Sequence, residues 1–466
     1  MSPWNFLIIL LLVWLVWLYF WFKSSSIPWL GIKDTIEINK RIWNGLNKAL
    51  IYPTRSGIAK FAAQPDAQNI QLYDNFKRNY GSMAKVFIIW RPVVFIMSTK
   101  IMRDILYNSP QRYGPGKFKI NYFKPFMAQN VGINYYPEWT VNRPFNEKVL
   151  GFRQPDHPIY QFINQKTPLI VRKLIRIGSN NIVTGEDFLL LGRYVSYLIT
   201  FGQRYAVPKY YPYVWDLIAS SVNWTSILGF DPVSPIIRNK YLDFMHQQLD
   251  KPEPDSLMNY AVKFRTGGMN DGDVIDQVPH WVFPLSNIIF NIFTAYLALL
   301  EAFPNVRHRV QTEVDAGVDQ GNSGTWLHWS ILETIRMYGI VLTLTRTSMY
   351  DQTVTDENGN EYSLQRGDQL FMLTSVLSND PTCFSEPKRW NPERWSNINQ
   401  DGFCDVIFNI GPQICPGSNL VKYLLKAIVN ELLQKCTFKV LNPKLDPDNL
   451  PAALNSWTIQ IRIETK

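Results

Sequence analysis

Cysteine is scarce in this chain: four among 466 residues, at Cys383, Cys404, Cys415 and Cys436. There is no CxxC pair and no His/Cys pattern with structural-zinc spacing, so a zinc-stapled fold is excluded. So few cysteines cannot build a disulfide scaffold, and they fit a reducing compartment. No repeat of solenoid length, no low-complexity tract and no long linker divides the chain. The net charge of +9 points to an anionic surface or an acidic partner. No segment interleaves Lys/Arg clusters with aromatics, so no nucleic-acid partner is expected.

What is present begins at the N-terminus. The run WNFLIILLLVWLVWLYFWF, Trp4 to Phe22, carries no charge. As a helix it would rise about 28 Å, close to the ~30 Å hydrocarbon core of a bilayer. No basic residue precedes it and no small-residue cleavage site follows, against a signal peptide. Lys23, Lys33, Lys40 and Arg41 come after it, which places the rest of the chain in the cytosol. The expected organisation is a membrane anchor over residues 1–24 and one globular domain over 25–466.

The globular part reads as mainly α with small β-sheets. Lys85–Trp90 and Val93–Ser98 are β-rich runs forming a hairpin, residues 160–250 are mostly helical, and short strands lie near 342–374. Thr437–Leu441 and Trp457–Ile463 read as closing strands. The uncharged stretch Trp281–Leu300 suits a second membrane span or a buried helix; Pro284, Ser286, Asn287 and Asn291 favour the buried helix.

One stretch concentrates chemistry: FNIGPQICPGSNLVKYLLK, residues 408–426. Cys415 stands just before an apolar-striped helix, where amides and the helix dipole favour an anionic sulfur. Gly411 and Gly417 permit a strained turn or close approach to a flat ligand, and Phe408 adds an aromatic face. Such a loop suits haem iron with an axial thiolate. It equally suits a buried, inert cysteine in a Gly/Pro turn.

The ten residues FNIGPQICPG match Phe-x-x-Gly-x-x-x-Cys-x-Gly, and three further motifs stand in order: Trp139-Thr-Val-Asn-Arg143, Glu333-Thr-Ile-Arg336 and Pro392-Glu393-Arg394-Trp395. Together with the N-terminal run, the chain resembles the membrane-anchored cytochrome P450 family over nearly its whole length. The resemblance implies a P450-like fold binding haem b (iron protoporphyrin IX), with Cys415 as the metal ligand. It implies that Trp139, Arg143 and Arg346 hold the haem propionates, with Phe408, Gly411 and Gly417 lining the cofactor. Glu333, Arg336 and Arg394 would form a buried charged triad.

It further implies a monooxygenase acting on a small lipophilic substrate, such as a terpenoid, steroid, fatty acid or polyketide of secondary metabolism. Electrons would come from NADPH through a flavoprotein reductase in the endoplasmic reticulum membrane, with Lys422 and Lys426 as candidate docking residues. Substrate contacts are expected from residues 109–130 and 210–240.

Two departures stand out. Gln413 replaces the family's usual cation two residues before the cysteine. Counting back from Pro304, Asn287 and Ile288 replace the acid–threonine pair that carries protons, which leaves Ser286 and Asn287 as candidate catalytic residues that hold a water. The lost pair also suits a haem-thiolate isomerase or dehydratase that needs no reductase, or a non-catalytic haem protein.

Overall fold

The computed structural model describes residues 27–40, 75–88, 91–221, 224–227, 229–265, 267–317, 321–339, 343–397 and 407–466. The expected anchor over residues 1–24 and Cys404 lie outside them. The described chain is mainly helical with three small sheets, as the sequence pattern implied.

The largest sheet joins β1 (Met83–Ile88), β2 (Arg91–Ile96), β3 (Tyr113–Pro115), β5 (Thr343–Ser348) and β8 (Gln369–Leu373) in the order β1-β2-β8-β5-β3. β1 and β2 are the expected hairpin, with Phe87 opposite Pro92. Pro92 cannot donate to a ladder, yet it sits inside β2 because β8 joins only from Val94 onward. β4 (Ile182–Thr184), β9 (Cys436–Asn442) and β10 (Gln460–Thr465) form the closing sheet, and β6 (Gln352–Thr355) pairs with β7 (Glu361–Leu364).

The central helix is continuous from Asp271 to Ala302, and by length and hydropathy it could cross a bilayer. Instead it is core: Ile289, Phe290, Phe293, Leu297, Leu299 and Leu300 are all fully buried. Its hydrogen-bond register changes midway. Pro279–Asn287 is α-helical with Pro284 inside it, Ile288–Phe293 is π-helical, and Thr294–Ala302 returns to α. Proline lacks the N–H that would bond back to residue 280, so the ladder is already interrupted where the wider turn begins.

The Gly185–Phe201 helix crosses this helix closely. A Cβ on Gly192 would lie 2.5 Å from the Ser286 carbonyl oxygen, so only glycine lets the two backbones approach this far. The helix starts with a capping box in which Thr184 and Asp187 satisfy each other's backbone N–H.

Cysteine scarcity misleads in one place. Cys383 is disulfide-bonded, while Cys415 and Cys436 are free thiols. Pairing depends on proximity in space, which a residue count does not carry.

Candidate functional site

The helix that follows the cysteine runs Ser418–Lys435 and buries Leu420, Val421, Leu424, Leu425, Ile428, Leu432 and Leu433, the stripe the sequence implied. This burial anchors the preceding loop. Cys415 is half-buried, and its N–H donates to the Phe408 carbonyl at 2.8 Å, closing residues 408–415 into a tight loop. Inside it Asn409 (φ 71°) and Gly411 (φ 73°) are left-handed. The Asn409 side chain accepts from the Ile410 N–H at 2.9 Å and donates to the Gln413 carbonyl at 3.1 Å. A Cβ on Gly411 would fall 2.6 Å from the Leu106 carbonyl, so the Thr99–Tyr107 helix presses directly on the loop. One on Gly417 would stand 3.9 Å from the Cys415 sulfur.

Burial pushes the Cys415 thiol up, while the Gly417 N–H and the charges of Arg143 and Lys422 pull it down. Burial wins, so the lone sulfur keeps its proton; a metal bound there would remove it, because coordination deprotonates a thiol outright.

The Tyr136–Val149 helix brings Trp139 and Arg143 to this loop. Arg143 is buried and donates to the Ile414 carbonyl, the residue before the cysteine. Its Nε meets Glu147 at 2.6 Å, and its guanidinium lies 6.0 Å from the Trp139 ring and 5.4 Å from that of Phe152. Lys422 stands 5.8 Å from the Phe408 ring.

Arg346 arrives from β5. It is 4% exposed, donates to Ser109 Oγ at 3.1 Å and to the Thr345 carbonyl at 2.8 Å, and burial lowers it to about 10. Beside it is a residue the sequence reading passed over. Lys119, on the Lys117–Phe123 helix, is lowered to about 7, by burial first and then by Arg346. His280 follows, lowered to about 4 by burial and by Lys119. Among the described residues neither Arg346 nor Lys119 has an acidic partner. With Arg143 offset by Glu147, two positive charges remain without an anion. Enclosed charge of one sign is costly unless a counter-ion binds. The only sequence signal for Lys119 was its place in the aromatic-rich 109–130 stretch.

The triad is assembled. Glu333 is fully buried and accepts from Arg336 Nε at 2.9 Å and Nη2 at 2.8 Å, Arg394 Nε at 3.0 Å, Trp395 Nε1 at 2.9 Å and the Asn391 N–H at 3.0 Å.

The structure places the two central-helix candidates and corrects one sequence expectation, that of Lys426. Ser286 faces the Gly185–Phe201 helix, its hydroxyl 3.0 Å from where a Gly192 Cβ would be. It is fully buried at this helix crossing and its Oγ has no protein partner. Asn287 is nearly buried beside it. Lys426 is 4% exposed and donates to the Asn322 carbonyl at 3.2 Å, so it offers no docking charge; Lys422 remains half-exposed.

A mainly helical core carrying a free cysteine in a tight loop at a helix entrance, with Arg143 donating to that loop and Trp139 beside Arg143, defines a haem-thiolate type of protein. The chain belongs to the cytochrome P450 family, whose model matches residues 56–271 and 291–462. It is 25% identical over 246 residues to probable cytochrome P450 28d1 of Drosophila melanogaster, covering 48% of this chain and 49% of that one. It is 26% identical over 219 residues to cytochrome P450 3A13 of Mus musculus, covering 44% and 42%. A cholesterol 22-hydroxylase of Paris polyphylla, CYP90B27, is 32% identical over 111 residues, covering 23% and 22%. The chain thus spans about half the length or less of the curated relatives it matches. Between the two matched stretches lie residues 272–290, the half of the central helix where the acid–threonine pair was missed.

Proposed function

We propose that this protein is a membrane-anchored haem-thiolate monooxygenase, its anchor at residues 1–24 and its catalytic domain at 25–466. The observation that carries the reading is the free thiol of Cys415 in its tight loop at a helix entrance, with Arg143 donating to the Ile414 carbonyl beside it; the pair Arg346 and Lys119, which has no acidic partner among the described residues, supports it. Haem b brings two propionates and an iron needing an axial anion; this chain offers two unpaired cations and one thiol. The residues present therefore fit the group.

Cys415 would be the iron ligand, with Gly411 and Gly417 letting backbone and macrocycle approach and Phe408 lying beside the sulfur. Trp139, Arg143, Arg346 and Lys119 would hold the propionates. Lys119 offsets the cation lost at Gln413. Bound haem would supply the activation of O2 and the insertion of one oxygen atom into substrate, the other leaving as water.

The chain's own work is to bind, orient and enclose. His280, held neutral, adds no charge to the chamber wall. Membrane attachment in the endoplasmic reticulum, a lipophilic substrate and an NADPH-dependent flavoprotein reductase complete the reading. One relative's name, a cholesterol 22-hydroxylase, supports a lipophilic substrate, and the long apolar run Trp4–Phe22 supports the membrane.

The departure at Asn287 and Ile288 favours a second reading, a haem-thiolate isomerase or dehydratase. NADPH-dependent O2 uptake with reductase and substrate separates them: uptake supports the monooxygenase, turnover without it supports the isomerase. The thiolate itself is tested by Cys415→Ser. We expect the variant to lose the long-wavelength Soret band of the reduced, CO-bound protein and all turnover. Retention of both would sink the proposal.

A further inference from the structure

None of the residues of the Lys117–Phe123 helix is buried. Yet burial is the first cause lowering the Lys119 ammonium and the sole cause raising the Tyr122 hydroxyl. Side chains that keep open surface while protein surrounds them border a hollow, not bulk water. Lys119 and Tyr122 are three apart, so they look from one face of this helix into that hollow.

The start of the central helix borders the same space. His280, Phe283 and Pro284 are half-buried, while Trp281, Val282 and Leu285 are buried. That spacing opens one face of the helix. His280 is lowered first by burial and then by the Lys119 charge, which sets its imidazole beside the hollow. A Cβ on Gly132 would stand 3.1 Å from His280 Cε1 and 3.5 Å from Nδ1, so the Gly132 backbone closes one edge of the ring. Among the described residues, neither the His280 nitrogens nor the Tyr122 hydroxyl has a hydrogen-bond partner. Ser286 Oγ and Asn291 Nδ2 are closed off, but these atoms are not among the sealed ones. The hollow thus has apolar wall at Phe283 and Pro284 and two neutral, open polar groups.

We propose that His280 and Tyr122 determine substrate specificity by hydrogen-bonding one hydroxyl group of a lipophilic alcohol. The inference rests on the haem-thiolate reading above, in which Lys119 and Arg346 are taken by the propionates. A neutral imidazole offers one N–H and one lone pair, and a phenol donates and accepts. A hydroxyl can use both roles, whereas a carboxylate only accepts. A hydrocarbon would leave both groups unpaired, which a buried site penalises.

Matched ligands test this by equilibrium dialysis against the haem-loaded, full-length protein. The probes are cholesterol with its deoxy analogue cholestene, and dodecanol with dodecane and dodecanoic acid. In at least one set the alcohol should bind about ten-fold tighter than its hydrocarbon and tighter than the acid. His280→Leu and Tyr122→Phe should each weaken the alcohol by roughly three- to ten-fold and leave the hydrocarbon unmoved. A purely structural role would weaken both ligands alike. No alcohol preference in either set overturns the inference, as does tighter binding of the acid. A preference that survives both substitutions also overturns it. Should His280→Leu fail to retain haem, an unchanged preference in Tyr122→Phe overturns it alone. Absence of the thiolate Soret band from the unsubstituted protein would overturn the haem-thiolate reading itself; the band present without the preference overturns only this inference.

Discussion

Two buried polar regions lie a short way apart in the core and are built on opposite terms. Around Glu333, one carboxylate accepts from two arginines, a tryptophan and a backbone amide, all within 3.0 Å. Along the central helix, Ser286 Oγ and Asn291 Nδ2 have no protein partner, and the helix changes register between them. The first network is complete within the chain. It can only support structure, because nothing is left over to meet a ligand. The second is incomplete within the chain, and elsewhere Lys119 and Arg346 are likewise without an acidic partner among the described residues. A satisfied network rigidifies, while an unsatisfied buried group costs free energy that only a bound molecule restores.

The sharpest way to break this contrast is at Glu333. Glu333→Gln leaves Arg336 and Arg394 buried without their anion, at a cost of about 3–5 kcal/mol. Urea denaturation of the haem-loaded protein should show the loss as a lower midpoint at unchanged slope. A change below about 1 kcal/mol would mean that the network contributes little beyond its packing.

Lys119 comes next. A charge-assisted bond is worth about 1.5–3 kcal/mol, so Lys119→Gln should speed haem transfer to an acceptor globin by roughly ten- to a hundred-fold. The pH dependence has a definite sign. Without an anion the ammonium titrates near 7; beside a propionate its pKa must rise. Below pH 7 it is charged with or without haem, and affinity is flat in this group. Above it, binding must take up a proton, so haem retention weakens as pH rises. Lys119→Gln should abolish that slope. His280, near 4, stays neutral across the same range and contributes none. An unchanged slope in the variant would assign the effect elsewhere.

How much of this was legible beforehand follows the same division. Motifs whose residues are bound to one another by local spacing read directly: Glu333 with Arg336, the Cys415 loop with its helix, the β1/β2 hairpin. Residues whose role depends on what approaches from elsewhere in the chain did not. Lys119 gains its meaning only when β5 sets Arg346 beside it. Lys426 sits on a helix one turn from Lys422, yet Asn322 covers it and not the other. Cys383 is paired through space. The orientation of Ser286 was set by Gly192, nearly a hundred positions away in the sequence, where the missing Cβ lets two backbones meet.

That last pair yields the smallest expected effect and the finest discrimination. If Ser286 merely fills a helix crossing, its hydroxyl contributes nothing, and Ser286→Ala removes an unpartnered buried oxygen. Stability should stay within about 0.5 kcal/mol of the original or rise slightly, with turnover unmoved. Gly192→Ala attacks the same contact from the other side. Its methyl would stand 2.5 Å from the Ser286 carbonyl, and such overpacking costs about 1–3 kcal/mol as the helices part. A Ser286→Ala protein that keeps its fold but loses turnover would place the water-holding role on the serine after all.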